Sequence, residues 1–148
     1  MGHCIRAVIG SRESVRRLAE DWLKAKVVEL PQDFGMIFMT DDLLEDVGEL
    51  LEVSDELPFS ELENFTEEVK ELMERYSFRT KLTYVETDYF GGVGTQAGVL
   101  YENGRAAIGP RRGSGTINIL LKELGVWCYP DKDEFDMLEL GKYRHMPY

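Results

Sequence analysis

Residues 86–104 read ETDYFGGVGTQAGVLYENG, from Glu86 to Gly104, and how this stretch is parsed decides the fold. It sets Gly91, Gly92, Gly94, Gly98 and Gly104 among β-branched and aromatic residues. Glycine loses more backbone freedom on folding than any other residue, so a cluster of them inside a strand pattern needs a local cause. The usual causes are a bulge, a sharp bend, or another backbone or a ligand coming very close. Asn103-Gly104 has the plainest meaning. It separates VLYE from RAAI, and Asn-Gly tolerates the positive φ angles of a two-residue type I′ hairpin. The stretch predicts a strand that enters near Lys81, bends at the glycines and runs on into a tight turn.

Outward from it, the apolar spacing supplies the other elements. His3 to Ile9 reads as a strand ending at Gly10, and Ser11 is placed to cap a helix with Val15, Leu18, Ala19, Trp22 and Leu23 on one stripe. Lys26 to Leu30 reads as a strand stopped by Pro31, and Phe34 to Met39 as a buried one. Thr40 caps a second helix whose first turn carries Asp41 and Asp42 and whose apolar face is Leu43, Leu44, Val47, Leu50 and Leu51, with Gly48 a weakness within it. Ser60 and Glu63 match the S-x-x-E capping box, ahead of Leu62, Phe65, Val69, Leu72, Met73 and Tyr76 at helical spacing. The Gly109–Gly115 loop, GPRRGSG, leads into a helix over Thr116 to Leu124, which Gly125 closes. EFDMLEL, Glu134 to Leu140, adds one or two helical turns. The sum is a single α+β domain over residues 1–148, a mostly antiparallel sheet with helices packed on one face.

The 148 residues carry 28 Asp+Glu against 17 Lys+Arg, a formal net charge of -11. Repulsion from phosphates argues against nucleic acid or an anionic membrane as partner and favours a basic protein or a small cation. Cys4 and Cys128 make no secreted disulfide framework. No apolar run reaches the roughly 18 residues of a membrane span, and no signal-peptide apolar region opens the chain. The expectation is a reduced, cytoplasmic protein.

Acidity is concentrated between Asp41 and Glu74, where Lys70 is the only base. Such a run is either the solvated side of two amphipathic helices or a partner surface. Solvated helices usually mix signs, because like charges at i,i+4 cost roughly 0.2–0.5 kcal/mol. A single-sign field suits the steering of a basic partner, which makes Glu45, Asp46 and Glu49 candidate contacts.

Glu86 and Asp88 share a strand face with Leu82, Tyr84 and Phe90. Two carboxylates there serve either as an acid/base pair or cation ligands, or as partners of Arg105, Arg111 or Arg112 where the strand leaves the core. Glu86, Asp88, Tyr89 and Phe90 join the candidate partner contacts. Arg111 and Arg112, ahead of a helix N-terminus, are either an anion cradle or solvent-facing loop residues; the loop lacks the Walker A lysine and spacing. His3, Cys4, Cys128 and His145 have no metal-ligand spacing, and no Ser or Cys sits in a nucleophile motif. No catalytic residue, metal or cofactor is assigned.

YFGGVGTQ at Tyr89 to Gln96, the hairpin after it, INILLKELGV at Ile117 to Val126 and DEFDMLELGKYR at Asp133 to Arg144 resemble small acidic bacterial proteins of the uncharacterised and polymorphic-toxin immunity type. The resemblance covers the C-terminal 65 residues or so and brings no catalytic motif. It implies a non-enzymatic acidic binding protein, an immunity-type inhibitor of a basic toxin or enzyme. The alternative is a small enzyme or ligand binder using Glu86 and Asp88 with Arg111 or Arg112. A homo-oligomer follows if the glycine strand is an open sheet edge.

Overall fold

The computed structural model describes residues 2–147. Six strands form one antiparallel sheet: β1 (Arg6–Ser11), β2 (Val28–Leu30), β3 (Phe34–Phe38), β4 (Lys81–Phe90), β5 (Val93–Glu102) and β6 (Arg105–Arg112). Their spatial order is β2-β3-β1-β4-β5-β6. Five helices complete the α+β fold: α1 (Arg12–Asp21), α2 (Asp41–Leu51), α3 (Glu67–Tyr76), α4 (Thr116–Leu124) and the single turn α5 (Glu134–Met137).

The β4–β5–β6 meander is the body of the sheet. Asn103 and Gly104 have φ of 52° and 79°, the expected primed turn. Gly91 and Gly92, at 59° and 82°, make a second turn of the same hand, with Phe90 opposite Val93. The expected bend in one strand is therefore a hairpin between two. A Gly-Gly pair serves this turn as well as Asn-Gly does. Gly98 answers to close approach instead: a Cβ there would lie 2.6 Å from Leu120 Cδ1, so its absence lets α4 settle on β5.

The helices lie on both faces, not on one. Ile37, Val8, Tyr84 and Val99 form a cross-strand row facing Val15 and Leu18 of α1, Leu43 and Val47 of α2, and Val69 and Leu72 of α3. Ala7, Ile9, Met36, Val85 and Leu100 face the other way, onto Ile117, Leu120 and Leu121 of α4 with Leu138 and Leu140. Strands buried on both sides carry unbroken apolar runs, and Ala7-Val8-Ile9 and Met36-Ile37-Phe38 are such runs.

The caps behave as their chemistry requires. Ser11 accepts from the Ser14 N–H and Thr40 from the Leu43 N–H, while Gly125 closes α4 at φ 109°. The Ser60–Glu63 box caps nothing. The third helix starts only at Glu67, although Leu62 and Phe65 are buried as expected.

Gly104→Val should cost about 1–3 kcal/mol, because a β-branched residue is strained at positive φ. Urea unfolding measures it, and a wild-type midpoint would show that the turn tolerates a side chain there.

Candidate functional site

The missing capping box leads to a heavily constrained polar group. Glu86 sits on β4 with 3% of its surface exposed. One carboxylate oxygen accepts from the Asn64 N–H at 3.1 Å and the Tyr84 hydroxyl at 2.9 Å. The other accepts from the Glu63 N–H at 2.8 Å and Arg112 Nη2 at 2.9 Å. The amides that a helix starting at Ser60 would turn inward are thus held by a charge on the sheet. Burial and the Glu86 charge push the Tyr84 phenol well above its usual pKa, so its proton stays on to make this bond. Arg112 is equally engaged, donating from Nε to the Glu61 carbonyl at 2.8 Å and from Nη1 to Thr95 Oγ1 at 3.2 Å.

The two carboxylates of β4 therefore part company. Glu86 faces inward and is paired, as in the strand-leaving-the-core reading, and Asp88, two residues on, is exposed. Tyr89 is half-buried and its hydroxyl accepts from Gln96 Nε2 at 3.1 Å. Phe90 and Val93, 86% and 79% exposed, form an apolar tip around the Gly-Gly turn. Arg111 is exposed on β6, opposite Gly98, and the adjacent Arg112 holds Glu86. The glycine strand β5 lies between β4 and β6, so it is no open edge. The edge on this side is β6, with β2 at the other end of the sheet, and it is interrupted by Gly109 at φ 86° and by Pro110, which has no N–H to offer another strand.

The acidic segment divides in the same way. Asp41 pairs with Arg6 at 2.5 Å, Asp46 with Lys24 at 3.2 Å and Glu71 with Arg75 at 2.9 Å, while Lys70 lies between Glu67 and Glu74. Among the described residues, no ion pair within 4 Å engages Asp42, Glu45, Glu49, Glu52, Asp55 or Glu63. Glu45 and Glu49 are exposed on α2. Between α2, α3 and the connection before α3 lies a cavity of about 370 Å³ lined by Arg6, Asp41, Glu45, Asp55, Glu63 and Glu68, among others.

Glu68 is the residue that sequence reasoning passed over. It is 8% exposed, and burial pushes its carboxyl up, with the Asp55 charge raising it further. Its signal was Gly48. A Cβ at that position would lie 2.7 Å from Glu68 Oε2 and 3.2 Å from the Val53 carbonyl oxygen, so the helix-interior glycine lets both come close.

Elsewhere, His3 bonds Thr87 Oγ1 through Nδ1 at 2.8 Å and the Leu140 carbonyl through Nε2 at 3.0 Å, beside a cavity of about 300 Å³ that Tyr89, Asn118 and Asp133 also line. Cys4 and Cys128 are both free thiols. Among the described residues, no three His, Cys, Asp or Glu side chains converge as metal ligands, and no helix is long and apolar enough to cross a membrane. In comparisons with known proteins, no family model, curated protein or solved structure matches the chain.

Two buried glutamates give opposite predictions. Glu86→Gln should destabilise by about 3 kcal/mol in urea unfolding, since it leaves Arg112 without its counter-charge and puts an amide N–H against donors. Unchanged stability would mean that the clasp is dispensable. A raised carboxyl pKa means that the folded state binds the proton more tightly, so the Glu68 contribution is complete below its unfolded pKa and is lost as pH rises through its folded one. Glu68→Gln should therefore raise Tm at pH 7 by about 2–4 °C. The gain should shrink as pH falls towards 4. A lower Tm at pH 7 would show that the charge is compensated.

Proposed function

We propose that this protein is a non-enzymatic acidic binding protein of the immunity type, holding a basic protein partner against the acidic side of α2 and the connection that follows. The observation that carries this is the set of unpaired carboxylates on and beside α2. Like charges kept together with few bases among them lose a little stability, and the field they make raises the encounter rate with a basic surface. Asp88 and Phe90 follow Glu86 on one face of β4, so the hairpin tip supplies an exposed aromatic anchor next to a rigid clasp. The alternative, a small enzyme using Glu86 with Arg112, has less support, because each oxygen of the Glu86 carboxylate already accepts two hydrogen bonds.

The test needs a purified partner, first identified by affinity capture. Glu45→Lys with Glu49→Lys should slow association by about tenfold or more at low salt, with the difference fading as salt rises. Asp46 is left alone because it bridges Lys24. The unfolding midpoint should barely move, since exposed charges contribute little. An association rate equal to wild type at low salt would remove α2 from the interface.

A further inference from the structure

The acidic cavity differs from the acidic surface around it. Five carboxylates line it, those of Asp41, Glu45, Asp55, Glu63 and Glu68, and its one guanidinium is Arg6. Arg6 is committed, with Nε donating to the Met39 carbonyl at 2.8 Å and Nη2 to Asp41 at 2.5 Å. That accounts for Asp41. Glu68 is buried to 8% exposure with no cation within ion-pair distance among the described residues. A carboxylate so placed loses much of its hydration with no cation beside it. The Thr66 Oγ1 on the same wall is also buried, and it makes no hydrogen bond.

The chain makes a structural concession to keep this arrangement. Gly48 interrupts a helix interior, where glycine is unfavourable, and a Cβ there would press on the Glu68 carboxylate and on the Val53 carbonyl. The opposite wall is equally deliberate, since Glu63 and Asn64 are pinned through their amides by Glu86. The result is a preformed, electronegative recess. Its volume of about 370 Å³ falls within the range of roughly 300–1,000 Å³ typical of ligand pockets.

The geometry also selects the kind of cation. No three of the carboxylates converge closely enough to be metal ligands. Groups spread around a recess suit a larger organic cation that offers several N–H donors in different directions. Glu45 belongs both to the recess and to the exposed face of α2, so a cation entering here arrives from the acidic surface. We infer that the recess receives one basic side chain, a lysine or an arginine projecting from the partner, with Glu68 as its buried counter-ion. This rests on the reading of the acidic face given above and names what the partner must present to it.

The probes are three end-capped pentapeptides with arginine, lysine or leucine at the centre of four glycines. They are titrated at low salt into the full chain while backbone amide NMR shifts are followed. The arginine or the lysine peptide should saturably shift the amides of Glu45, Asp55, Thr66 and Glu68, and the leucine peptide should not; which basic peptide binds more tightly identifies the side chain. Glu68→Gln, whose folding is checked by its Tm, should weaken that binding by about tenfold or more. Glu49→Gln, outside the recess, should change it by less than about twofold. Undiminished binding by Glu68→Gln overturns the inference. So do shifts confined to Glu49, Glu52 and Glu56, although these leave the acidic-face reading standing. Failure of both basic peptides to shift any acidic residue overturns both.

Discussion

A carboxylate on the inner face of a central strand must be fully hydrogen-bonded or it unfolds its surroundings, and Glu86 meets that demand with donors from three separate places. Tyr84 comes from its own strand, Arg112 from the end of β6, and the amides of Glu63 and Asn64 from the connection ahead of α3. Much of the architecture on this side follows. The connection cannot become helix while two of its amides face the sheet, so α3 starts at Glu67. Arg112 then reaches over to the Glu61 carbonyl, and Leu62 and Phe65 drop into the core beneath. A polar anchor thereby positions apolar residues that a helical register would have placed differently.

Much of the fold was legible because its signals were local. Ser11, Thr40, Gly125 and Asn103-Gly104 act through their own backbone geometry, which no distant residue can easily override. The Ser60–Glu63 box failed for the complementary reason. Its competitor, Glu86, is more than twenty residues away in the chain, and spacing within a segment carries no trace of it. The two-sided sheet is an intermediate case. Ala7-Val8-Ile9 bore the mark of a strand buried on both faces, and the tail that covers the second face is short and weakly periodic, with only one turn in α5.

The site was legible as a bias and not as a geometry. Composition shows that residues 41–74 are acidic; it does not separate Asp46, tied to Lys24, from Glu49, tied to nothing among the described residues. Nor does it separate Glu86 from Asp88, which alternation puts on one face. Burial distinguishes them, and burial depends on where β1 and the 63–64 connection end. Gly48 was the one residue whose oddity pointed inward, at a carboxylate on another helix.

Glu86 on β4 and Glu68 on α3 have opposite energetics. The first has four donors, and its neighbours are arranged to supply them. The second is almost as deeply buried, yet its carboxyl is pushed towards its neutral form, with another carboxylate close by. Folding alone would favour an apolar side chain or a glutamine at position 68, since replacing a buried unpaired charge relieves its desolvation. A charge retained against the interest of stability makes sense when something outside the chain completes it, and the rigid wall held by Glu86 keeps that place open. On this argument the two residues form one device. In the proposed reading, the paired glutamate fixes the frame and the unpaired one is left for a cation that arrives with the partner.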